Sequence, residues 1–338
     1  MQGDSAKTLP HGSAWLTLVI FIVIAHFNPE VLTGSTPIEH YFTWTNFLGM
    51  LFYGLQVAVL ADIMARYKLR WTTVYLLGLV YGIFEEGFAV QTMLSPIPPG
   101  FVGVYRVLGL NSTWAVYIAT FHALVSVVSS IIIVKLVWPD RVSYPFLGRR
   151  HYAIVLPSLI VVYGLFIYFV TRSYTPETIA VLVLVLSCLA LVTAARRAQR
   201  RGISASLPAR ASSYVYRFLF LIIVAQLLPF ALGQVSWLAL PVTLIVVTGC
   251  YLFARLFGRL DRDDQSGPLK LFYIFVVVIG FWLVLGTFFR TPASNMVAFT
   301  GVALEFYFGW RAVKRSRNTP ASSSSLEENS SATIGTAQ

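Results

Sequence analysis

Of the 338 residues, 57% are hydrophobic and only 12% are charged, whereas an ordinary soluble domain carries about 25% charged residues, so water is excluded as the main solvent. The net charge of +11 would point to nucleic acid in a soluble chain, but the basic residues flank apolar runs instead of forming a basic-aromatic module, and no nucleic-acid partner is expected. Cys188 and Cys250 both sit inside apolar runs without a CxxC spacing, which excludes a disulfide framework.

Apolar runs of about 20 residues, enough to cross a hydrocarbon core of about 30 Å, recur along the chain. Backbone in lipid must satisfy its own hydrogen bonds, which selects helices. The predicted spans are 13–29, 44–65, 71–93, 112–137, 151–171, 177–195, 213–232, 235–257, 269–289 and 294–312. The first has a signal peptide as its rival reading, because Lys7 precedes a brief apolar stretch, but Asn28, Pro29 and Glu30 follow Phe27 where a small-x-small cleavage site would stand, and it reads as a retained anchor.

The basic residues test this assignment. With ten spans and a cytoplasmic N-terminus, 22 of the 25 Lys and Arg fall on the inner side and only Arg106, Arg172 and Arg290 fall outside, as the positive-inside rule requires. The fold class is therefore all-α: a polytopic integral membrane bundle of about ten transmembrane helices, N- and C-termini cytoplasmic. Residues 1–12 form a cytoplasmic N-terminal segment, 13–317 a single transmembrane domain, and 318–338 a disordered cytoplasmic tail with almost nothing to bury. The basic loop from Arg196 to Ser213 is expected to lie against anionic lipids of the inner leaflet. The location is the cell (plasma or inner) membrane, with the bilayer itself as the constant partner.

Chemistry concentrates in a few polar residues at depth. Of the acidic residues only Asp62, Glu85, Glu86 and Glu305 lie within spans, and Asp62 is near enough to an inner end to reach headgroups or Arg66. His122 is the one histidine far inside a span; His26 sits at an outer end. A charge at mid-bilayer costs about 2.5–3.5 kcal/mol on the mildest scale, so such groups demand a reason. At 1.5 Å per residue Glu85 lies about 12 Å, His122 about 15 Å and Glu305 about 18 Å from the outer ends of their helices, and Glu305 joins the others if its helix is a neighbour.

Facing points the same way. At about 100° per residue Gly78, Gly82 and Glu85 share one stripe, and Ala115, Ala119, His122 and Ser126 share another. Small residues let helices approach closely in lipid, so these stripes are expected to meet and bring Glu85 or Glu86 to His122. A buried carboxylate could then exchange a proton while the imidazole orients water; equally, a protonated glutamate could simply tie two helices together. No organic cofactor is expected. A divalent metal on the carboxylates and imidazole stays open, although a single deep histidine and the absence of HExxH give it little support, and no metal ligand is assigned.

GIFEEGF at Gly82–Phe88 and FHALVS at Phe121–Ser126 resemble motifs of glutamic intramembrane proteases, the superfamily that holds the CAAX-processing and PrsW-type enzymes. The resemblance implies a helical membrane hydrolase with Glu85 and Glu86 in the base motif and His122 in the last histidine motif. It covers about 55 residues. The chain departs from it at Val90, where CAAX-type members carry Arg, and at Ser126, where they carry Asn or Asp; the middle FxxxH motif is missing.

The leading functional expectation is thus an intramembrane peptidase with Glu85, Glu86 and His122 as catalytic residues, Ser126, Glu305, Gln56 and Arg106 as supporting polar groups, and a water-filled cavity opening towards the outer leaflet. Its substrate would be a membrane peptide or a small molecule. The alternatives are a proton-coupled permease, with Glu85, Glu86, Glu305 and Gln56 lining its path, and a non-enzymatic scaffold.

Overall fold

The computed structural model describes residues 11–95, 106–170, 175–201, 214, 217–225, 239–261, 267–288 and 290–318. Almost all of them are helical. The first helix, α1 (His11–His26), continues through a π-helical turn, Phe27–Val31, that contains Pro29. Proline has no N–H to give an α-helical ladder, and the wider π turn carries the chain past it. A short 3-10 turn (Ile38–His40) leads to α2 (Trp44–Tyr67).

Lys68 then takes a left-handed conformation (φ 48°) and ends α2, and α3 (Trp71–Ile83) starts two residues after it turns back. The first amides of α3 are capped from a distance: the Asp261 carboxylate accepts from Trp71 N at 2.5 Å and from Thr72 N at 3.1 Å, the preferred sign of charge at a helix N-terminus. A second π turn, Phe84–Ala89, prolongs α3. After it comes a two-stranded hairpin, β1 (Arg106–Val107) and β2 (Leu110–Asn111), whose tip residues Leu108 (φ 51°) and Gly109 (φ 78°) make the left-handed pair that such a tight turn needs.

The next span is one continuous helical rod in three pieces: α4 (Ser112–Phe121), a third π segment (His122–Ser129) and α5 (Ser130–Val137). Beyond a short α6 (Pro139–Val142) lie α7 (Arg149–Val170), α8 (Thr178–Arg201), α9 (Leu219–Ala225), α10 (Ala239–Leu260), α11 (Pro268–Gly286) and α12 (Pro292–Asn318).

The rod Ser112–Val137 is the axis of the bundle: 94% of the residues in its most apolar stretch are buried, against only 17% in those of α7 and α8. Side chains such as Ile160 (74% exposed) and Tyr168 (79% exposed) stand open on these outer helices, an arrangement that apolar surroundings stabilise and water does not. α3 is enclosed by α4, the third π segment, α8 and α10.

Among the described residues, seven helices are long and apolar enough to cross a bilayer: 13–31, 44–67, 112–137, 149–169, 178–201, 241–260 and 268–286. The other three predicted spans differ in kind. Residues 71–93 fold as α3 plus its π turn, but two glutamates lower its apolar character. Residues 294–312 lie within α12, whose 27 residues are long enough but include Ser294, Asn295, Glu305 and Arg311. Of 213–232 only 214 and 217–225 are described, and the basic loop past Arg201, the N-terminal residues 1–10 and the tail from 319 lie outside the described residues.

The bundle is fastened at both ends. At the end rich in arginine, buried Asp62 accepts from Arg66 Nε and Nη2 at 3.1 and 2.9 Å, from the backbone N–H groups of Phe146 and Leu147 at 2.6 and 2.7 Å, and from the Tyr152 hydroxyl at 2.8 Å. At the far end Arg290 donates to the carbonyls of Leu32 and Leu283 and to Asn295 Oδ1, tying the π turn of α1 to the link between α11 and α12.

Candidate functional site

The polar site is built where the three π segments meet. Gly78 and Gly82 of α3 face the rod so closely that a Cβ on Gly78 would sit 3.0 Å from Ala123 Cα, and one on Gly82 2.8 Å from Ala119 Cα. Only hydrogen at both positions permits this approach. It sets the end of α3 against the start of the third π segment, and with it the glutamates against the histidine.

His122 stands between two carboxylates. Its Nδ1 is 3.1 Å from Glu85 Oε2 and its Nε2 is 3.2 Å from Glu86 Oε1. Ser126, one turn on, adds a hydroxyl 2.9 Å from Nδ1, and Phe121 packs edge-on against the ring at 5.0 Å. Glu85 is fully buried, and neither of its oxygens has a well-directed hydrogen-bond partner among the described residues. Glu86 is 11% exposed along its side chain and is held from the other side by the Thr92 hydroxyl, which in turn accepts from Trp114 Nε1 at 2.8 Å.

The three residues offer donor atoms within 4.8 Å of one another, a set of the right chemical type for a divalent metal. The arrangement nevertheless divides them, because Glu85 addresses one ring nitrogen and Glu86 the other, and an imidazole gives a metal only one nitrogen. As it stands the geometry suits proton exchange through the ring better than shared ligation of one ion.

The structure brings Ser126 into the site with the trio and leaves the other supporting candidates apart. Arg106 donates to the carbonyls of Ser95 and Gly109 at 2.7 and 2.6 Å and pairs with Glu177 at 3.5 Å, so it ties the hairpin to the residues after the second π turn and to the start of α8. Gln56 donates to Phe52 O, one turn back on its own helix. Glu305 is on α12, which packs on α11 and α5, and its Oε2 is buried without a hydrogen-bond partner among the described residues.

Two residues escaped sequence reasoning. Glu30, one residue beyond the predicted first span, lies in the π turn that follows α1 and accepts from the Tyr53 hydroxyl at 2.7 Å and from Thr36 Oγ1 at 2.8 Å. Tyr53 also reaches the site, with its ring 5.9 Å from that of His122. A line of polar groups therefore runs from Glu30 through Tyr53 to His122 and Glu85. His26, buried and 5.3 Å from the same tyrosine ring, flanks it. The available signal was Asn28 and Glu30 beside Pro29, polar residues that a helix carried through the proline would place inside the bundle.

A cleft of about 600 Å³ lies between α3 and α8 and another of about 420 Å³ lies between α5, α11 and α12. Neither is lined by Glu85, Glu86 or His122, so the cavity expected at the site is not one of these two.

With this geometry in place, comparison with known families decides one point: a model described as an uncharacterized membrane protein family matches residues 19–314. The chain belongs to that family. Comparison with curated proteins and with solved structures gives no match. The match spans every π segment and all the site residues, and it carries membrane character without a reaction.

Proposed function

We propose that this protein is an intramembrane hydrolase of the glutamic type, acting on a peptide bond within or beside the membrane. The observation that carries the reading is the imidazole of His122 set between two carboxylates at a junction of three π segments, since π turns in helices occur frequently at functional sites. Glu86, the more exposed of the two acids, acts as the base. It takes a proton from a water whose oxygen attacks the carbonyl carbon, and returns it to the departing amine. His122 orients the water and the developing oxyanion, and Glu85 with Ser126 holds the ring from its other nitrogen.

The same reading includes a ten-span topology with both termini cytoplasmic, which the distribution of Lys and Arg supports, together with a single membrane domain over 13–317 and residence in the cell (plasma or inner) membrane. The test is terminal labelling of peptides from membranes of cells producing the native chain, Glu86→Gln or His122→Ala. New membrane-peptide termini present only with the native chain are expected; identical sets from all three would overturn the reading.

A second reading, a proton-coupled permease, draws on the line from Glu30 through Tyr53 to Glu85. Purified protein in liposomes with an internal pH dye separates the two: proton flux abolished by Glu85→Gln, without peptide cleavage, would favour transport.

A further inference from the structure

The cleft of about 420 Å³ at the arginine-rich end is lined by Lys135 and Leu136 of α5, Pro139 of α6, Leu271 of α11, and Phe308, Arg311 and Arg315 of α12, among others. Its chemistry is two-sided. Lys135, Arg311 and Arg315 contribute positive charge, and no acidic side chain is among the lining residues described. Leu136, Leu271 and Phe308 supply an apolar wall. Four helices contribute, so the cleft is a property of the fold and not of one basic loop.

From this charge and shape we propose that the cleft binds one anionic phospholipid, with its phosphate on Lys135, Arg311 and Arg315 and the upper part of an acyl chain along Leu271 and Phe308. Position fits the occupant. Lys135 stands in the last turn of α5 and Arg315 in the last turn of α12, with Arg311 one turn before it and the first turn of α11 beside them, where helices leave the hydrocarbon and meet headgroups. Basic pockets between helices at this level are suited to such headgroups. The first turn of α11 borders the same cleft through Pro268 and Leu271. Lys135 is half-buried and packs over the Trp71 ring at 5.6 Å, so its charge is held in place and not free to sweep the surface.

The site is separate from the glutamate–histidine cluster, and its occupation is a matter of stability and orientation in the membrane, whatever reaction the cluster performs. The experiment is native mass spectrometry of the full purified chain, titrated with phosphatidylglycerol or with phosphatidylcholine. The native chain is expected to bind one phosphatidylglycerol about tenfold more tightly than phosphatidylcholine. Lys135→Gln/Arg311→Gln/Arg315→Gln abolishes that preference, and Arg149→Gln/Arg150→Gln/Arg196→Gln, which removes exposed charges elsewhere, retains it. Should the triple variant fail to fold, the single variants Arg311→Gln and Arg315→Gln, at exposed side chains, each lower the preference about threefold. Equal affinity for the two lipids, survival of the preference in the cleft variants, equal loss in the control, or displacement by inorganic phosphate as readily as by lipid overturns the proposal.

Discussion

Gly82 lies against His122: a Cβ built on the glycine would be 3.2 Å from the histidine Cβ and 2.9 Å from Ala119 O. The imidazole thus owes its position to an absent side chain on the neighbouring helix. Gly82→Val is expected to force α3 off the rod at a cost of about 1–3 kcal/mol, the usual penalty of overpacking a close-packed interior. Gly164→Ala on α7, where an added Cβ meets nothing within 4 Å, leaves stability unchanged or slightly raised. Thermal unfolding of the two variants in one detergent measures the difference; equal midpoints would remove the close approach as the basis of the site.

Much of this was legible beforehand because it is periodic. Gly78, Gly82 and Glu85 recur at helical spacing, as do Ala119, His122 and Ser126, so the facing of the two helices followed from 100° per residue and the need for small residues in lipid. The place of Glu305 was not legible in that way. Depth along a helix is written in the sequence, but the order of helices around a bundle is not, and α12 settles beside α11 and α5. Glu30 was missed for a local reason: Asn28-Pro29-Glu30 speaks only against a cleavage site after Phe27, with Glu30 just beyond the predicted span, and no residue pattern marks the π turn that keeps the helix going.

Asp62 is a structural clasp and not part of the chemistry. It accepts five hydrogen bonds, two from Arg66 on its own helix and three, from Phe146, Leu147 and Tyr152, that join α2 to the start of α7 and the residues before it. Asp62→Ala leaves the buried N–H groups of Phe146 and Leu147 unpaired, at about 1–3 kcal/mol for each group. The expected result is a lower melting midpoint with the folded fraction keeping its activity. A loss of activity in fully folded Asp62→Ala protein would place this carboxylate in the mechanism.

Topology has its own test. Val107, 56% exposed at the hairpin, is expected on the outer face, and Arg315, at the end of α12, on the inner face. Single cysteines at these positions in a Cys188→Ala/Cys250→Ala background should differ towards a membrane-impermeant maleimide. Val107→Cys is labelled in intact cells, and Arg315→Cys only after permeabilisation. Labelling of both in intact cells would break the ten-span assignment.

Tyr53 links Glu30 to the histidine, and its hydroxyl donates to Glu30 at 2.7 Å. Tyr53→Phe keeps the ring packed and removes only the hydroxyl, so its cost in stability is about 0.5–1.5 kcal/mol, that of one hydrogen bond, with more if the acceptor is left dry. If the hydroxyl only braces the fold, activity per folded molecule is unchanged. If the line from Glu30 delivers water or protons, the rate falls about tenfold while the melting midpoint moves by only a few degrees. Proton flux or peptide cleavage, set beside unfolding of the same sample, separates these outcomes.

Glu305 makes the sharpest contrast with Glu85. Each has a buried oxygen lacking a hydrogen-bond partner among the described residues, but Glu85 is fully buried with an imidazole at 3.1 Å, whereas Glu305 is half-buried and is not among the residues whose donor atoms converge there. A buried carboxyl without a partner costs free energy that an apolar side chain of similar size does not. Glu305→Leu is therefore expected to raise stability by about 1–3 kcal/mol and to leave activity intact, whereas Glu85→Leu removes activity because the imidazole loses the group facing Nδ1. Measured beside melting of the same samples, activity separates the two substitutions. Loss of activity in a stable Glu305→Leu protein would bring α12 back into the pathway and favour transport over hydrolysis.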